Sequence, residues 1–266
     1  MNETEQMEFF YEIFDASLPR LAPGDDSSTQ RALDRLLASK PRFMDEVGSG
    51  KPRILDIGCG NGAQTLQLAK RLDGHLLAVD NHQPFLDELQ RRAEAAGVSD
   101  KIQVYAKDMA NLGLDENSFD LIWSEGALYN MGFREGLQMC YRLLTPEGLM
   151  AASELVWLQS DPPEKCRQFF ANEYPLMKDI ESNASTIKAC GYDLLGHFIL
   201  PESTWRESYY RPLGNRLQSL RIKYATDSER MEMIESIQME IDIYNECCDY
   251  YGYAFFLMQP VQSQPG

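Results

Sequence analysis

The chain has 266 residues, 44% hydrophobic and 25% charged, which excludes a disordered polypeptide and leaves room for one large core or a core plus a cap. A formal net charge of −16 sets it against nucleic acid and, less strongly, against anionic metabolites. Mean hydropathy is −0.40 and no apolar run is long enough to span a bilayer, so no membrane partner is expected; the acidic start, Met1-Asn2-Glu3-Thr4-Glu5, leads us to expect a cytoplasmic location.

The first helix is expected over residues 7–18, with Phe10, Ile13, Phe14 and Leu18 on one face. A loop with two prolines and a glycine follows, Pro19 to Asp26. A second helix opens at Ser27, whose spacing to Gln30 is that of a capping box. Pro41 and Gly48-Ser49-Gly50 mark a boundary, so residues 1–49 are read as an N-terminal helical cap segment.

From Arg53 short apolar runs alternate with amphipathic helices. Strands are expected at Ile54–Ile57, Leu76–Val79, Ile102–Ala106, Phe119–Ser124 and Leu149–Trp157. Helices are expected at Ala63–Leu72, after Pro84, and at Phe133–Leu144. This alternation predicts an α/β fold, a parallel sheet with helices on both faces, over residues 50–158. Residues 159–190 look helical, Tyr192–Leu200 reads as a strand, and a long helix follows the capping-box spacing Thr226…Glu229. Along that helix Met231, Ile234, Ile237, Ile241, Tyr244, Cys248 and Tyr251 share one face. It could pair with a second subunit in a homodimer, although folding back on its own sheet is the simpler expectation. Gly252–Met258 is the last strand; residues 159–266 are taken to complete the same domain.

Among six cysteines there is no CxxC pair, and the three histidines show no metal-ligand spacing, so no metal site is expected. Cys247-Cys248 lies in a helical pattern and reads as buried packing.

The stretch ILDIGCGNG, residues 54–62, joins a strand to a helix through Gly58, Gly60 and Gly62. Such a loop gathers backbone N–H groups at a helix N-terminus, and glycine removes the Cβ that would block close approach. Gly58-x-Gly60-x-x-Ala63 meets the loose dinucleotide pattern, and Asp80 lies 18 residues past Gly62, where a ribose-binding acid belongs. Three features favour a different ligand. Asp56, two residues before the first glycine, would repel a pyrophosphate and attract an ammonium or sulfonium group. Lys107-Asp108-Met109 follows the third strand, offering an acceptor for an adenine amino group and a methionine for the ring. Only one glycine fingerprint is present, with few residues for a second nucleotide-binding half. The ligand best matched is S-adenosylmethionine.

The same motifs resemble class I SAM-dependent methyltransferases. LDIGCGNG is similar to that family's first motif, AVDN to its second-strand acid, AKDM to its adenine motif, FDLIWSEGALYNM to its fourth strand and LLTPEGLMAASE to its fifth. Pro146-Glu147-Gly148 departs from the usual Pro-Gly-Gly. WSEGALYNMGF, HFILPESTW and YYGYAFF further resemble a bacterial small-molecule group of the methyltransferase-11 type. The resemblance implies a seven-stranded Rossmann-like sheet, order 3-2-1-4-5-7-6, with a helical cap. It also implies methyl transfer to a small-molecule acceptor, and the net charge of −16 together with the aromatic candidates for a cap favours a neutral or cationic one.

The expected cofactor contacts are Asp56, Gly58, Cys59, Gly60, Gly62, Asp80, Asn81, Asp108, Met109 and Glu125. Glu125 ends the fourth strand at the carboxyl edge of the sheet; it could take a proton, hold a cationic substrate or assist the cofactor ammonium. Tyr129 and Asn130, one turn on, could face the same space or simply pack a helix start; Glu125 and Tyr129 are the candidate catalytic residues. His82 flanks the adenine or caps a helix. Tyr11 is a candidate to close over the cofactor, and Trp157, His197, Trp205, Tyr209 and Tyr210 are candidates to roof a substrate pocket or pack a cap. A nicotinamide-dependent oxidoreductase and a non-catalytic SAM-binding protein remain as alternative readings.

Overall fold

A computed structural model describes residues 1–41, 43 and 50–261. The boundary read at Gly48-Ser49 lies outside the described residues. Two helices precede the sheet: α1 (Glu3–Ile13) and α2 (Asp26–Ser39). Asn2 and Glu5 close α1 with a reciprocal capping box, and Phe9 and Ile13 are its buried residues. Ser27 is not the cap of α2. Asp25 is, its carboxylate accepting the Ser28 N–H at 2.6 Å, where a negative charge also suits the helix dipole.

Then come β1 (Arg53–Ile57), α3 (Ala63–Arg71), β2 (His75–Asp80), α4 (Gln83–Ala96), β3 (Ile102–Ala106), β4 (Phe119–Glu125), α5 (Phe133–Leu143) and β5 (Leu144–Trp157). β1 through β5 pair in parallel, in the order β3-β2-β1-β4-β5. Ile54, Leu55 and Ile57 of central β1 are fully buried, as a strand covered on both faces requires. Along β5, Leu149 and Ala151 join one core cluster while Met150 and Ala152 join the cluster on the opposite face.

The second half differs from its expectation in detail. Residues 159–190 are not one helix but α6 (Glu164–Glu173), a two-residue strand β6 (Lys178–Asp179) and α7 (Ile180–Ala189). Pro175 cannot continue α6, and Asp179 starts α7 afresh by accepting the Ser182 N–H at 2.6 Å. β7 (Tyr192–Ile199) precedes a helical stretch: Ser203–Trp205, a π-helical turn Arg206–Tyr210, and α8 (Arg211–Lys223). α9 (Ser228–Cys247) is capped by Asp227 rather than Thr226, and folds back on its own chain, burying Ile234, Ile243, Tyr244 and Cys247. Tyr251 does not belong to that helix face. It opens β8 (Tyr251–Pro260), paired with Trp157 at the far end of β5.

β8 runs antiparallel to β5 and β7 antiparallel to β8, giving β3-β2-β1-β4-β5-β8-β7 with β6 beside β5. This is the expected Rossmann-like methyltransferase order; the extra short strand only shifts the numbering of the last two.

Gly62 corrects a site expectation. It sits at φ +83° as the N-cap of α3 and is buried against α4, where a Cβ would lie 2.1 Å from Leu89 Cδ1. Its role is helix packing rather than lining a ligand. Gly62→Ala is therefore expected to lower stability by roughly 1–3 kcal/mol in urea denaturation, through backbone strain and overpacking. Adenosine-ligand affinity of the folded fraction, measured by calorimetry, stays unchanged.

Candidate functional site

At the carboxyl ends of β1, β2 and β4, where open α/β sheets place ligands, lies a cavity of about 800 Å³. Its floor is the β1–α3 turn. Gly58, at φ +68°, passes Ala127 so closely that a Cβ would stand 2.3 Å from the Ala127 Cβ. Cys59 follows, buried, its N–H bonded to the Val79 carbonyl at 2.9 Å and its thiol directed at the Gly60 carbonyl. Gly58, Cys59 and Gly60 all line the cavity.

Asp80 at the end of β2 holds this turn. One carboxylate oxygen accepts the Gly60 N–H at 3.0 Å and the other accepts the His82 N–H at 2.9 Å. Each oxygen keeps a lone pair for a ligand, and the side chain faces the cavity. Burial pushes its carboxyl above the usual value, against the backbone N–H groups of His82, Gly60 and Asn81 that hold it down. Asn81 is exposed on the rim. Asp108 and Met109 also line the cavity; Asp108 additionally accepts the Ala110 N–H at 2.9 Å and so sets the turn that carries Met109.

Asp56 is placed differently from its expectation. It is fully buried beneath the turn and does not line the cavity. The Thr65 hydroxyl donates to it at 2.5 Å and the Gln64 amide at 3.4 Å. Gln64 in turn bonds the Cys59 carbonyl at 3.2 Å and reaches the cavity wall. Asp56 thus braces the glycine turn from below. Burial raises its carboxyl to about 7, the Thr65 bond opposing and the nearby Glu125 charge adding.

Glu125 is the polar centre of the roof. It is 8% exposed and accepts from three donors: Arg20 at 3.1 Å, the Thr29 hydroxyl at 2.7 Å and the Trp123 indole N–H at 2.9 Å. Arg20 also pairs with Asp26 at 3.0 Å. The sequence reading named Glu125 but missed Arg20 and Thr29; no local pattern signals a contact spanning 105 residues. Arg20 fixes the loop whose Leu21, Ala22 and Pro23 cover the glycine turn. Arg92 secures that loop from below by donating to the Ala16 and Leu18 carbonyls, and Asn61 donates to the same two carbonyls. Tyr11 from α1 reaches the cavity, where its ring stacks on His82 at 3.5 Å with Phe85 edge-on.

A second cavity of about 350 Å³ adjoins the first, sharing Phe10, Leu21, Ala22, Pro23, Phe85, Gly126 and Tyr129 with it. Of the expected roof residues, Trp205, Tyr209 and Tyr210 line this chamber. Trp157 and His197 do not. Trp157 packs edge-on against the lining residue Phe170 without itself reaching the chamber, and His197 is exposed on β7 at the sheet edge. Tyr129, 40% exposed, stands on the shared wall.

Among the described residues, no cluster of three His, Cys, Asp or Glu side chains is placed to hold a metal. Residues 54–148 match the family model described as a methyltransferase domain. This stretch is a methyltransferase domain. The methyltransferase fold around it recurs in solved structures. The X-ray structure of YjhP from E. coli superposes with a TM-score of 0.79 at 20% identity, covering 95% of this chain and 99% of that one. A SAM-dependent methyltransferase from Geobacter sulfurreducens, crystallised with S-adenosyl-L-homocysteine, gives 0.69 at 20% identity over 86% and 98%. The sterol 24-C-methyltransferase erg-4 of Neurospora crassa is 24% identical over 62% of this chain and 46% of its own length. The 27-O-demethylrifamycin SV methyltransferase of Amycolatopsis mediterranei is 27% identical over 51% and 48%. The chain thus spans about half the length of these curated relatives.

Two outcomes test this geometry. Arg20→Met leaves the Glu125 charge buried without its partner and is expected to cost on the order of 3–5 kcal/mol in urea denaturation, with Glu125→Gln on top restoring part of it. For Asp56 the folded carboxyl titrates near 7. An unfolded aspartate titrates at about 4, so between those values the folded protein holds a proton that the unfolded chain releases. The raised carboxyl therefore makes stability fall as pH rises through that window. Asp56→Asn removes this dependence, and denaturation at pH 5 and pH 8 should show the variant gaining on the wild type at the higher pH.

Proposed function

We propose that the protein transfers a methyl group from S-adenosylmethionine to a small-molecule acceptor by in-line displacement. The observation that carries this reading is Asp80: its carboxylate holds the glycine turn and still presents acceptor lone pairs to the cavity. Two adjacent ribose hydroxyls match such an acceptor. The surrounding charge supports the same ligand. Acids Asp80, Asp108, Glu125 and Glu135 line the cavity against Lys107 and Arg20, and Arg20 is committed to Glu125 and Asp26. A pyrophosphate would meet these carboxylates, and would find the Gly60 N–H already bonded to Asp80. A nicotinamide-dependent oxidoreductase is therefore the weaker reading.

S-adenosylmethionine supplies, when bound, a methyl group already activated on a sulfonium. Asp108 and Met109 are suited to the adenine, with Asn81 on the rim. Gly58, Cys59 and Gly60 give the close backbone approach that the ribose and aminoacyl side needs. The remaining work of the chain is to position and to exclude water, which in favourable systems contributes roughly 7–11 kcal/mol. Leu21, Ala22 and Pro23 form the cover. Glu125 serves this cover: three donors occupy most of its acceptor capacity, so it positions rather than moves a proton. Tyr129 stands where the two cavities meet, which supports a role for it in contacting the acceptor. Its accessible surface borders the two cavities, and this enclosed setting, then the Glu240 charge, push its hydroxyl above its ordinary range, in keeping with a neutral donor.

Thermal melts with saturating S-adenosylhomocysteine should rise by several degrees, while NAD gives no shift. Asp80→Ala should weaken S-adenosylhomocysteine by at least about 100-fold by calorimetry, the lower end of the loss expected for two charge-assisted bonds. Labelled-methyl incorporation into a fractionated cell extract separates an enzyme from a non-catalytic binder: transfer is expected, and its absence in every fraction contradicts the proposal.

A further inference from the structure

The chamber behind Tyr129 has a composition that narrows the acceptor. Rings form most of its wall: Phe169, Phe170, Tyr174, Trp205, Tyr209 and Tyr253 among them. Among the described residues that line it, the charged side chains are two acids, Glu173 and Glu240, with no lysine or arginine. Glu240 projects from α9, half-buried, with one carboxylate oxygen accepting the Tyr210 hydroxyl at 2.9 Å. Its charge reaches Tyr129, Tyr209, Tyr210, Tyr251 and Tyr253; after burial, it is a further cause of their raised hydroxyls. The dry surroundings raise Glu240 itself to about 7, a cost that a cationic partner would offset. The hydroxyl of Tyr251, another lining residue, is buried without a partner.

An acid among aromatic faces attracts one kind of ligand above others. A cation gains from the ring quadrupoles and from the carboxylate together, and more so where water is excluded. A neutral alcohol gains from neither charge term, and a carboxylate is repelled. The chamber volume of about 350 Å³ is at the lower end for small-molecule sites, and its apolar walls suit a hydrophobic body.

We propose that this chamber is the acceptor site and that it selects a compact hydrophobic amine, with Glu240 and the surrounding tyrosine and tryptophan rings recognising the cationic nitrogen. Glu240 is thereby a specificity-determining residue. The shared wall at Gly126 and Tyr129 then sets the acceptor beside the larger cavity. This inference rests on the methyltransferase reading, since it takes the larger cavity as the cofactor's.

The test is calorimetry on the full chain saturated with S-adenosylhomocysteine, using 2-phenylethylamine and tryptamine as probes against their alcohol and carboxylate counterparts. The amines should bind at least tenfold tighter than either counterpart, and Glu240→Gln should abolish that preference while leaving S-adenosylhomocysteine binding unchanged. Tyr251→Phe, which keeps the ring, should retain the preference. Equal or tighter binding of the alcohols, tighter binding of the carboxylates, no amine binding, or an unaltered preference in Glu240→Gln would each overturn the inference. Should Glu240→Gln fail to fold, as judged by its S-adenosylhomocysteine shift, the wild-type comparison of amine with alcohol decides alone. Failure of S-adenosylhomocysteine to bind the wild type would instead overturn the methyltransferase reading.

Discussion

The buried ion pair between Arg20 and Glu125 is the constraint on which the site depends. It joins the loop before α2 to the last residue of β4, across 105 residues of chain. Two charges out of water are costly unless each is fully bonded, and here Thr29, Trp123 and Asp26 complete the set. The consequence is geometric. Leu21, Ala22 and Pro23 are held over the glycine turn, and the space beneath them becomes a walled cavity rather than an open groove. The same three residues wall the second chamber, so one polar knot shapes both.

Beneath the cavity a second acid does related work. Asp56 braces the glycine turn through Thr65 and Gln64, and Asp80 holds it from the side through the Gly60 N–H. The turn is thus fixed before any ligand arrives, which reduces the ordering cost on binding. The carboxylates differ in role because they differ in environment. Asp56 is sealed in the core, Asp80 faces the cavity, and Glu125 is consumed by the roof.

Much of this was legible in the sequence because the signals are local. A glycine turn between an apolar run and an amphipathic helix identifies itself, and so does an acid closing the next strand. The order of the sheet followed from resemblance, and the pairing agrees with it. Helix starts were misread where several capping residues stand within one turn: Asp25 and Asp227 capped in place of Ser27 and Thr226. The fate of Gly62 was also hidden. Its contact is with Leu89, a helix away, and spacing alone cannot tell a glycine that faces a ligand from one that faces a neighbouring helix. Arg20 was invisible for the same reason. His197 and Trp157 failed as roof residues because strand register and the path of α6 decide which side chains face inward, and neither is fixed by composition.

In the proposed reading the helical additions choose the acceptor for the common sheet. α1, α6, α9 and the π-helical turn at Arg206–Tyr210 bring their rings and the Glu240 acid around one space beside Tyr129. The central claim is that the cavity over Gly58 and Gly60 is shaped for an adenosine carrying a cationic tail, and a crystal structure with S-adenosylhomocysteine tests it most directly. The ribose hydroxyls are expected on Asp80 and the adenine against Met109. Ligand density elsewhere, or a ribose turned away from Asp80, would contradict it.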